Sequence, residues 1–60
     1  MNFEDTSNWH LIVLNSWKDI SDDWIKYNIK DKHSYTCFGY YWYFKNQSDA
    51  TLFSLTWLNN

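Results

Sequence analysis

The twelve residues Tyr35–Asn46, YTCFGYYWYFKN, include seven Phe, Tyr or Trp side chains. Aromatic residues suit a pleated, half-buried surface, so the stretch reads as extended chain. Gly39 is the one glycine in the protein. Inside a strand pattern it marks a bulge or a tight turn, which divides the stretch into a short hairpin. Alternate residues of a strand face opposite ways. Phe38, Tyr40, Trp42 and Phe44 form the more apolar set and are the expected core face. Tyr35, Cys37, Tyr41, Tyr43 and Lys45 carry hydroxyls and a charge, which suits a half-wet face. A bulge at Gly39 would exchange the two faces partway along.

So many rings in one place answer a problem of size. A 60-residue chain buries only about 60% of the surface that its unfolded form exposes, and its stability is marginal. Cys37 is the single cysteine, so no disulfide can form within the chain. Dense packing and oligomerisation remain. Five Trp, five Tyr and four Phe supply the packing, each burying roughly 150–250 Å².

Upstream, WHLIVLN (Trp9–Asn15) is apolar on both of its alternating faces, which predicts a strand covered on both sides. Residues 16–30 read as a helix. Ser16 is one candidate N-cap, with Asp19 three residues on, and a start at Ser21 is the alternative. Trp17, Ile20, Trp24 and Tyr27 share one stripe, with Trp24 as the expected core anchor. Ile25 and Ile29 fall more than about 90° from most of that stripe and form a second apolar face, which invites a partner. Downstream, NQSD breaks the aromatic pattern, with Ser48 or Asp49 as candidate caps. Ala50, Phe53 and Trp57 at i, i+3 and i+7 favour a last helix over the rival strand reading of FSLTW. Residues 1–8 read as a loosely held terminus, and 9–60 as one small domain.

The resulting order is β-α-β-α, with the third element doubled as a hairpin. This is an α+β unit that looks like an incomplete ferredoxin-like fold lacking its final strand, and dimerisation is one way to complete its sheet.

Two local resemblances follow. CFGYYWYFKNQSDATLF is similar to the third strand and second helix of the RNA-recognition motif. Phe38, Gly39, Tyr40 and Tyr43 match that family's strand signature. Thr36 stands where the family has a basic residue, and Cys37 where it has glycine. The resemblance implies base stacking by Phe38 and Tyr40. YYWYFKNQSDATLFSLTW resembles the ending of short tailed-phage proteins with an aromatic strand, Asp-Ala, an aromatic and Leu-x-Trp. That implies a viral origin, a site of action in the host cytoplasm and no particular chemistry.

Composition narrows the function further. The net charge is −2, with five lysines and no arginine, against the basic excess of nucleic-acid binders. No apolar run approaches a membrane span. His33 and Cys37, with His10 distant, fall short of the three or four ligands of a zinc site. They read instead as a loop histidine and a small buried cysteine. Asp19, Asp22 and Asp23 read as helix-dipole partners. A His33–Cys37 catalytic pair and acid–base or divalent-cation roles for the Asp cluster are minor readings. With no glycine-rich loop for phosphates and no oxyanion-forming turn signature, neither metal, cofactor nor catalytic activity is expected.

The expected function is that of a small non-catalytic binding protein. In the phage setting it is an accessory factor that binds and modulates a host protein, and it self-associates as a homodimer. The expected contact residues are Tyr35, Tyr41, Tyr43, Ile25 and Ile29. The alternative is single-stranded RNA or DNA binding by rings of the Tyr35–Phe44 strand, with Phe38 and Tyr40 stacking on bases.

Overall fold

The computed structural model describes residues 7–58, so most of the expected loose terminus lies outside the described residues. The elements are β1 (His10–Val13), α1 (Asp22–Asn28), β2 (His33–Thr36), a 3₁₀ turn at Cys37–Gly39, β3 (Tyr41–Phe44) and α2 (Gln47–Trp57). The sheet order is β1-β3-β2, with β3 antiparallel to both neighbours. β1 and β2 are therefore parallel, with β3 inserted between them. This is the split β-α-β arrangement of a ferredoxin-like unit, with no fourth strand beside β1 among the described residues. The α+β class read from the sequence is the class observed.

The hairpin turn explains how the aromatic stretch divides. Cys37, Phe38 and Gly39 have φ of 55°, 58° and 91°, all in the left-handed region. Glycine enters it freely, whereas each of the other two costs roughly 1–2 kcal/mol. The turn is closed by Tyr40 N–H donating to Cys37 O at 3.1 Å. The Trp42 indole N–H donates to Gly39 O at 2.6 Å. The strand alternation therefore does not run through from Tyr35 to Phe44. Trp42 and Phe44 are buried as the even set predicts, and Tyr40 packs partly against them. Phe38 departs from that set and is 93% exposed, because the turn throws it outward. Tyr35 changes faces for the same reason. It pairs with Trp42 across the hairpin, so it shares the inner face despite its odd number.

β1 is covered on one side only, which corrects the two-sided reading. His10, Ile12 and Leu14 share the inner face with Trp42 and Phe44, whereas Leu11 and Val13 are each 47% exposed on the outer face.

The first helix is shorter than 16–30 and takes the later start. The Ser21 hydroxyl accepts the Trp24 N–H at 3.3 Å. Asp22 and Asp23 occupy the first turn and Lys26 the last, in the sense that complements the helix dipole. Residues 17–20 lie outside the helix, so Trp17 and Ile20 never join a common stripe with Trp24 and Tyr27. The buried positions are Ile25 at 8% exposure and Ile29 at 9%, where Ile29 is the C-cap. Both face the core, which corrects their expected place on a partner-binding surface. Trp17 and Tyr27 are exposed instead. Trp24 is part-buried, edge-on to Phe53 and Trp57 at 6.1 and 5.7 Å between ring centroids. It flanks the core anchors, which are the fully buried Phe44 and Phe53.

α2 begins one or two residues before the caps read from the sequence. The Asn46 side-chain oxygen accepts from Ser48 N–H at 2.8 Å and Asp49 N–H at 3.3 Å. Ala50 and Phe53 are buried and Trp57 is part-buried, the stripe that the spacing predicts. Asp49, freed from capping, is 4% exposed. One carboxylate oxygen accepts the backbone N–H groups of Lys30 and Asp31, each at 3.0 Å. It thereby ties the start of α2 to the α1–β2 connection.

Candidate binding surfaces

Two surfaces stand out, and their grooves share no lining residue. The first combines the outer face with the edge of β1 that no strand among the described residues pairs. Helices cover only the inner face. On the outer face Leu11 lies beside Tyr43, and Val13 beside Tyr41. Ser34 and Thr36 continue these two rows on β2. Leu11, Val13 and Tyr41 all remain exposed, and together they make an apolar and phenolic patch.

The backbone of β1 adds directionality. Leu14 N–H donates to Tyr40 O at 2.8 Å. Antiparallel partners alternate between bonded and non-bonded pairs, so Ile12 and His10 also face β3. The N–H and C=O groups of Leu11 and Val13 then point to the opposite edge, where no strand among the described residues pairs with them. Above this edge α2 overhangs the sheet. A groove of about 360 Å³ lies between them, lined by His10, Leu11 and Ile12 on one side and by Ala50, Thr51 and Leu55 among others on the other. Leu55 is 60% exposed over it. Edge strands are usually guarded by charges, proline or bulges. β1 contains no Asp, Glu, Lys or proline, whereas β2 follows the charged segment Lys30-Asp31-Lys32.

The second surface is a notch beside the hairpin turn. Its volume is about 160 Å³, and its walls include Trp17, Tyr35, Phe38 and Trp42. Tyr35 lies against Trp42 with ring centroids 4.8 Å apart. Trp17, Tyr35 and Phe38 are all exposed, whereas Trp42 is buried and forms the floor. Asp19, Asp22 and Lys18 stand at the rim.

Of the expected contact residues, Tyr41 and Tyr43 lie together on the outer sheet face. Tyr35 lies apart from them in the notch, and Ile25 and Ile29 are in the core. Phe38 and Tyr40 do not form a stacking pair on a strand. Phe38 is exposed in the turn, and Tyr40 packs against the core. His33 begins β2, with its ring stacked 6.4 Å from those of Trp42 and Phe44, and Cys37 is exposed in the turn. Both placements correct the reading of a loop histidine and a buried cysteine. Among the described residues no three His, Cys, Asp or Glu side chains gather as metal ligands, and no helix is long and apolar enough to cross a membrane. Leu11, Val13, Leu55 and Trp17 are the surface residues that sequence reasoning missed. Each is apolar, and the sequence pattern gives it a buried face or none. No protein family, characterised protein or solved structure matches the chain.

Proposed function

We propose that the chain is a non-catalytic binding protein that works by extending its sheet, most simply by pairing β1 with β1 of a second copy. The observation that carries this reading is the fourth-strand position beside β1, unfilled among the described residues, where an uncharged strand edge lies under a helix whose facing residues Gln47, Ala50, Thr51, Ser54 and Leu55 carry no charge. Main-chain groups at such an edge give affinity, and the pockets beside it give selectivity. The edge is self-complementary about a two-fold axis at Ile12. Leu11 of one copy then lies opposite Val13 of the other, both bonded pairs form, and the two α2 helices meet through Thr51 and Leu55. The outer faces merge into one apolar surface across both copies. In the phage setting that the carboxy-terminal pattern resembles, that enlarged surface is where a host protein docks.

Nucleic acid is the weaker reading, because the two rings that the RNA-recognition resemblance nominates do not stand side by side.

Light scattering at high micromolar concentration should report about twice the 7.4 kDa chain mass. Leu55→Glu places a charge in the groove at an exposed position, so it should leave the fold intact and give the single-chain mass. Tyr27→Glu, on the exposed side of α1, should leave the doubled mass unchanged. A single-chain mass for the unaltered protein, or a doubled mass for Leu55→Glu, contradicts the proposal.

A further inference from the structure

We propose that the notch beside the hairpin turn is a receptor for one arginine side chain of a partner protein. Its size is the first reason. Pockets for drug-sized ligands span roughly 300–1,000 Å³, and the notch, at about 160 Å³, suits a single side chain. Its walls are the second. Trp17 and Phe38 both line the notch and are exposed, and among the described residues neither ring is in contact with another. The Trp42 indole N–H is already bonded to Gly39 O, so the floor offers a ring and no spare donor. A site built mainly of ring faces, with the Tyr35 hydroxyl as a donor on its wall, favours a cation or an apolar group.

The rim decides between these two. Asp19 and Asp22 bring two carboxylates to the notch against one lysine, Lys18, which is held in an interaction of its own. Charge complementarity therefore favours a cationic guest. A guanidinium fits better than an ammonium, because it is flat, stacks on ring faces, is weakly hydrated and meets a carboxylate with two parallel hydrogen bonds. The protein contains no arginine, so the guest belongs to another molecule. The turn prepares the site in advance. Its left-handed backbone holds Phe38 outward and almost wholly exposed, at a conformational cost that a glycine-rich or longer loop would avoid. The notch shares no lining residue with the groove at the β1 edge, so it stands or falls independently of dimerisation.

The test is a titration of the protein with Ac-Gly-Gly-Arg-Gly-Gly-NH₂, followed by the indole N–H signals of Trp17 and Trp42 in NMR spectra. Matched peptides carry lysine or citrulline in place of arginine. The arginine peptide should shift both signals to saturation. The citrulline peptide, isosteric but uncharged, should bind about tenfold more weakly, the change that corresponds to 1.4 kcal/mol. Phe38→Ala removes a fully exposed ring and should weaken arginine binding several-fold. The double variant Asp19→Asn, Asp22→Asn should abolish the preference for arginine over citrulline. Unmoved indole signals, equal binding of citrulline, equal binding of lysine, or an unaltered affinity in Phe38→Ala would each overturn the proposal.

Discussion

Replacement of Phe53 by alanine is expected to remove most of the stability of this domain. The ring is fully buried and lies 4.9 Å from that of Phe44, 5.1 Å from Trp42, 6.1 Å from Trp24 and 6.4 Å from Trp57. It is the contact through which α2, β3 and α1 meet. Truncation of a buried Phe to Ala costs about 3–5 kcal/mol, because the transfer energy is lost and the cavity collapses only in part. At roughly 0.05–0.15 kcal/mol per residue, a 60-residue domain has about 3–9 kcal/mol in all. Phe53→Ala should therefore populate the unfolded state at room temperature, while Phe53→Leu, which retains more of the volume, should stay folded. Urea titration followed by tryptophan fluorescence reads the difference. A Phe53→Ala midpoint close to that of the unaltered protein would show that the core is centred elsewhere. Trp24→Ala should cost less, because Trp24 is only part-buried and sits at the margin of the cluster.

Asp49→Ala should have the second-largest effect, about 2–3 kcal/mol. Hydrogen bonds to charged groups contribute about 1.5–3 kcal/mol each, and this carboxylate accepts two, with water recovering part of the loss at Lys30 and Asp31. The carboxylate also sits in the first turn of α2, where negative charge is favoured. Asp49→Asn keeps one acceptor oxygen and should recover part of the loss. The same urea titration measures both variants. Equal stability of Asp49→Ala and the unaltered protein would mean that the tie between α2 and the α1–β2 connection is energetically idle.

These two residues also mark what the sequence discloses and what it hides. Phe53 was legible, because Ala50, Phe53 and Trp57 recur at helical spacing and a helix of 11 residues presents one stripe whatever it packs on. The partners of Asp49 were not legible. They are backbone groups 18 and 19 residues away, and no local pattern encodes such a contact. The aromatic stretch lies between these extremes. Strand, turn and strand could be read from it, with Trp42 and Phe44 inward. The side on which Tyr35 emerges could not, because it depends on how many residues the turn consumes. Periodicity misled at residues 16–30. A 7-residue helix is too short for its own period to dominate, and Trp17 and Ile20 precede it. Ile25 and Ile29 are buried because the sheet lies on their side. Whether β1 is covered on one face or both depends on the number of layers, which an apolar run alone does not specify.

The central claim is that the outward edge of β1 is a pairing site. Amide hydrogen exchange at Leu11 and Val13, measured over a dilution series, tests it most directly. Their N–H groups point away from β3, whereas that of Ile12 points toward it. If two copies join through this edge, Leu11 and Val13 should be protected at high concentration and lose that protection on dilution, while Ile12 keeps the same protection throughout. Fast exchange at Leu11 and Val13 at every concentration would contradict the claim.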